Sequence, residues 1–120
     1  ISDLVQKMLL NGDKVSHEEY QSAQAVLSTA RHAHAEFMAA NELDALLTPS
    51  APGEAPPIAT TGDSVFNRVW TALGVPSIHL PIKQGPSGLP TGIQLVGEPL
   101  CDGRLLAAAA LAESAFASSP

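Results

Sequence analysis

Cysteine is almost missing from this chain: Cys101 stands alone among 120 residues, so no intramolecular disulfide can form. That fits a reducing compartment, and a cytoplasmic location is expected. Aromatic bulk is scarce too, confined to Tyr20, Phe37, Phe66, Trp70 and Phe116. Alanine carries much of the 45% apolar content, which predicts close helix packing in place of a core of large side chains. Basic residues are few and scattered (Lys7, Lys14, Arg31, Arg68, Lys83 and Arg104) against 12 acids, for a net charge of −6. Without a basic stripe to release counterions from a phosphate backbone, no nucleic-acid partner is expected. No apolar run is long enough to span a bilayer, and no basic segment leads into an apolar one at the start, so no membrane partner is expected either.

What is present fits one domain, 1–120, or a fragment of one. The chain opens at Ile1 directly in helical phase, Asp3 to Leu10, and is expected to be part of something longer. Asn11-Gly12 predicts the stop of this first helix. Ser16-His17-Glu18-Glu19 has the form of a capping box, and Tyr20, Ala23, Leu27, Ala30, His34 and Phe37 recur on one helical face to about Asn41. Asp44 to Pro49 is a short apolar run ending at proline, expected as a buried strand. Residues 50–62, with Pro52, Gly53, Pro56, Pro57 and Gly62, read as a connector that cannot build a ladder.

Asp63 is expected to cap a helix over 64–73 with Phe66, Val69, Trp70 and Leu73 on one side, and Gly74-Val75-Pro76 ending it. In Ser77 to Ile82 the alternation puts Ile78, Leu80 and Ile82 on one face, and Ile93 and Leu95 share a face of the run Thr91 to Val96. The Gly- and Pro-rich stretch between them predicts an antiparallel hairpin. Asp102 is expected to cap a final helix through Leu105, Leu106, Ala109, Ala112 and Phe116.

Several residues invite chemistry. His32 and His34, two apart on a helix, point in different directions, and His32 with Glu36 lacks a third ligand, so no metal site is expected. Cys101 lacks the partners of a nucleophile. His79 has Ser77 on its own side of the strand and Asp63 upstream, but no Gly-x-Ser-x-Gly elbow accompanies them. On the helix over 64–73, Asn67 and Thr71 share a face beside Arg68, while Asp63 and Ser64 stand at its start. These polar groups could orient a substrate as one wall of a pocket, or simply decorate a capped amphipathic helix.

The ordered set formed by Asp44 to Pro49, the Pro-rich crossing, Phe66-Asn67-Arg68-Val69-Trp70-Thr71-Ala72-Leu73-Gly74-Val75-Pro76, Gly88-Leu89-Pro90-Thr91-Gly92-Ile93-Gln94-Leu95-Val96-Gly97 and an Ala/Leu helix resembles the C-terminal part of the amidase signature family. The resemblance covers residues 16–116. It implies an α/β (mixed) fold, here a partial mixed β-sheet with flanking helices, that belongs to a hydrolase of non-peptide C–N amide bonds with no cofactor and a small-molecule amide substrate. The family's serine nucleophile, its second serine and its lysine lie in a Gly/Ser-rich region and an upstream segment that nothing here matches; Lys7, Lys14 and Lys83 fit none of that context. No catalytic residue is therefore expected in this chain, which would supply scaffold and pocket wall. The substrate-binding residues implied are Asn67, Trp70, Thr71, Asp63 and Ser64, although many relatives carry Asn where this chain has Thr71. A stand-alone binding or interaction module on the same scaffold is the alternative. Strands cut from a larger sheet would leave open edges and apolar surface through which the chain could self-associate.

Overall fold

A computed structural model describes residues 2–117. Four helices, α1 (Asp3–Gly12), α2 (His17–Ala40), α3 (Arg68–Leu73) and α4 (Asp102–Ala117), flank three strands, β1 (Leu46–Pro49), β2 (Ser77–Gln84) and β3 (Pro90–Val96). The partial sheet with flanking helices is as the resemblance implies. Within these residues its order is β1-β3-β2, and both pairings are antiparallel.

The expected capping box forms in full. Ser16 Oγ accepts from the Glu19 amide at 3.1 Å, and Glu19 Oε2 accepts from the Ser16 amide at 2.8 Å. These bonds, the backbone one foremost, hold the Glu19 carboxyl below its ordinary value. The buried stripe of α2 departs from the expected one, running Leu27, Ala30, His34, Met38 and leaving Phe37 51% exposed. Adjacent helical stripes are both apolar here, and the partner surface chooses between them. In α1 the helix runs through Gly12 to a cap at Asp13 in the right-handed conformation, so the expected glycine stop is not used. None of the α1 residues is buried, and Leu4, Val5, Met8, Leu9 and Leu10 all face outward.

The hairpin is present, with one irregularity. Pro81 pairs with Gly92 and Lys83 with Thr91, so Ile82 is an extra residue in β2, a bulge that takes it out of the expected alternation with Ile78 and Leu80. Gly92 permits the close approach opposite Pro81: a Cβ there would stand inside the van der Waals envelope of the Leu80 carbonyl oxygen.

Each sheet face has its own cover. On one, Leu105 and Ala109 of α4 pack on Leu80 and Leu95, with Ile78 and Ile93 around them. The helix leaves edge strand β1 uncovered, and Leu47, expected in a buried strand, is 61% exposed. Asp102 lies in the first turn of α4 and not at its cap position. On the other face Val96 meets Leu73 and Val75, with Trp70, Ala30 and Leu46 at the margin.

Helix α3 is shorter than the expected 64–73 helix. Residues 65–67 form a turn, and Asp63 Oδ1 accepts from the Val65 amide at 3.0 Å without capping α3 itself. Gly74, at φ +67°, ends α3 as expected. Arg31 of α2 then docks on that end, its Nε donating to Leu73 O at 2.8 Å and its Nη2 to Ala72 O at 2.9 Å. A cation thereby satisfies carbonyls left open at a helix C-terminus.

Candidate functional site

The second sheet face changes from apolar to polar along the strands. Leu46 and Ser77 lie opposite Val96 under the helices, and two residues on, Thr48 and His79 lie opposite Gln94. Period-2 alternation therefore lines up Thr48, Gln94 and His79 as a row across the sheet. The connector folds over this row and encloses an open concavity of about 450 Å³, lined by Ser50, Ala51, Gly53, Ala55, Asn67, His79 and Gln94 among others.

Its polar groups hold one another. Ser50 Oγ and His79 Nδ1 are 2.7 Å apart, and Asn67 Nδ2 donates to the Ser50 carbonyl at 2.9 Å. Gln94, buried, donates a long bond of 3.4 Å to Thr48 Oγ1. The lining holds no carboxylate, lysine or arginine side chain and offers both donors and acceptors among small apolar groups, which suits an uncharged carbonyl compound.

Glu54 pins the connector to the hairpin loop. Its carboxylate accepts from the Ser87 amide at 2.8 Å and from the Leu89 amide at 3.1 Å. Desolvation pushes its carboxyl up, but hydrogen bonds from the side chain and backbone of Ser87 and the backbone of Leu89 outweigh it and hold the group below its ordinary value. A carboxyl with a lowered folded-state pKa stabilises the closed loop at pH above its unfolded value of about 4.5, and that contribution is lost as pH falls through the folded value. Backbone amide shifts of Ser87 and Leu89 are expected to keep their hydrogen-bonded positions at neutral pH and to move together in acid. In Glu54→Gln the acid transition should vanish; its persistence would mean that another group controls the loop.

Of the residues singled out in the sequence, Asn67 lines the concavity. Trp70 lies in the apolar cluster behind it, its ring centroid 6.1 Å from that of His34. Thr71 is exposed on α3. Asp63 and Ser64 are tied to Arg68, which donates to Ser64 Oγ at 2.9 Å and Asp63 Oδ1 at 3.1 Å. His79 pairs with Ser50, where the sequence suggests Ser77 and Asp63. His34 is buried, with Nε2 3.0 Å from Gly97 O. His32 and Glu36 form an exposed pair at 3.2 Å, and among the described residues no three His, Cys, Asp or Glu gather to hold a metal.

Nothing in the sequence singles out Ser50, Thr48 or Gln94 as a site residue. The row depends on the pairing of β1 with β3, and the Ser50–His79 contact spans 29 residues. Pattern within either strand carries no signal for it.

Comparison with known proteins follows the same outline. The family model described as Amidase matches residues 1–106. A glutamyl-tRNA(Gln) amidotransferase subunit from Dinoroseobacter shibae is 33% identical over 112 residues, covering 84% of this chain and 22% of that protein. Human fatty-acid amide hydrolase 2 is 32% identical over 107 residues, covering 86% of this chain and 20% of the relative. A crystal structure of an amidase superposes with a TM-score of 0.75 at 30% identity, over 90% of this chain and 27% of the other. The chain thus spans about a fifth of the length of these curated relatives. Among the described residues no helix is long and apolar enough to cross a membrane.

Proposed function

The chain belongs to the Amidase family, and from that premise we propose that it supplies sheet scaffold and one wall of the substrate pocket in a hydrolase of small-molecule amides, with the nucleophile coming from sequence outside these residues. The observation that carries this reading is the concavity on the polar face of the sheet, lined by no carboxylate, lysine or arginine, where Asn67 fixes the connector and Gln94 and His79 lie on the floor. An amide is uncharged and both donates and accepts, which such a lining matches. In this reading Asn67 is the wall residue, Trp70 backs it, and Asp63, Ser64 and Thr71 form the rim beyond it. The outward-facing apolar residues of α1 are then surface for the rest of the fold to cover.

The test joins this chain to the Gly/Ser-rich segment and upstream lysine of a family relative. The chimera is expected to release ammonia from simple primary amides while the 120-residue chain alone does not. Asn67→Ala in the chimera should raise KM by about tenfold with a smaller effect on kcat, the pattern of lost ground-state binding. Amide turnover by the chain alone would overturn this division of roles. A folded but inert chimera, beside a chain that is stable and monomeric by itself, would favour the stand-alone module.

A further inference from the structure

Ser50 and His79 meet in a way that pocket-wall residues need not. The hydroxyl lies 2.7 Å from Nδ1, inside the range in which a base takes a proton from a nucleophile. Both partners are held from elsewhere in the fold. His79 sits within β2 opposite Gln94, and its ring occupies the space over Gly92, with Cε1 2.9 Å from where a Cβ on that residue would be. The backbone of Ser50 is fixed by the Asn67 amide at 2.9 Å. The pair opens onto a concavity of about 450 Å³, which admits a small acyl compound.

We propose that Ser50 and His79 form a nucleophile–base pair that takes acyl groups from activated esters, a chemistry distinct from the amide hydrolysis proposed for the parent fold. Ser50 Oγ attacks the ester carbonyl carbon and passes its proton to His79 Nδ1. The bond from that carbon to the leaving oxygen breaks, and the departing phenolate takes the proton from the imidazolium, leaving acyl-Ser50 and neutral His79. Water then attacks the acyl carbon as His79 accepts its proton. The ester bond to Ser50 breaks, Oγ regains a proton from His79, and a carboxylic acid leaves. The sum is ester plus water to acid plus alcohol, with no other reactant.

The probe is p-nitrophenyl acetate with the 120-residue chain. An initial burst of nitrophenolate is expected, with the acetyl group mapped by peptide mass spectrometry to Ser50. Ser50→Ala should lose both burst and adduct. His79→Gln should slow acylation by about 10²-fold or more, the usual contribution of a positioned base. The wild-type map decides even if a variant misfolds: acetyl found only on lysines, on Cys101 or nowhere overturns the proposal, as does an unchanged acylation rate in a folded His79→Gln. Such a failure would leave the amide-pocket reading standing, because that reading does not use Ser50 as a nucleophile.

Discussion

Replacing Gly92 by alanine is expected to destabilise the protein by about 3 kcal/mol or more, at the upper end of what small-to-large changes in packed sites cost. The methyl would enter the Leu80 carbonyl, a main-chain atom of the paired strand, and would also meet the His79 ring. Side chains relieve such overlap by changing rotamer, but a carbonyl inside a ladder moves only if the strands part. Relief would therefore shift β2 against β3 and with it the floor of the concavity. Gly103→Ala is the matched contrast. It lies in α4 with open space around its Cβ position, and a gain of about 0.5 kcal/mol is expected because alanine loses less backbone entropy in a helix. Denaturant midpoints measured at constant slope read both changes. Equal midpoints for Gly92→Ala and the parent would refute the register that sets Gly92 against Pro81.

Leu105→Ala should cost about 2–5 kcal/mol, the range for removing a buried leucine side chain from a site that cannot collapse. Leu105 is 3% exposed and joins Leu80, Leu95 and Ala109 in the cluster that fastens α4 to the sheet. The loss would be severe because the buried apolar residues are few and the chain is spread out. Its radius of gyration is 17.6 Å, against about 13 Å for a compact domain of similar size. With typical stabilities of about 5–15 kcal/mol, one such change can unfold a small core. The next residue supplies the control. Leu106 is 58% exposed, and Leu106→Ala is expected to change stability by less than about 0.5 kcal/mol. Comparable losses at both positions would mean that α4 does not lie on the sheet through Leu105.

Local chemistry was legible where its partners are close in sequence. The Ser16–Glu19 box, the left-handed stop at Gly74 and the hairpin between Ser77 and Val96 each depend on neighbours or on one turn, and each formed. Phase was less legible. The choice of Met38 over Phe37 in α2, and the bulge that turns Ile82 out of the β2 alternation, both depend on what lies across from them. The family resemblance reached further than the patterns because it drew on an ordered set of segments.

The sequence by itself determined the kinds and order of the elements, the absence of an intramolecular disulfide and of a basic stripe, and the glycine stop at Gly74, whereas it set Asn67 inside a helix that the structure begins only after it. Backbone sterics and side-chain periodicity act over a few residues, and those are printed in the chain. Only the tertiary structure decided that Arg31 closes the end of α3, that Glu54 clamps a loop 33 residues away, and that Ser50, Asn67 and His79 meet over Gln94. The order β1-β3-β2 sets Thr48 and His79 on either side of Gln94, and helix and connector packing supplies the rest, because such contacts join residues far apart in sequence.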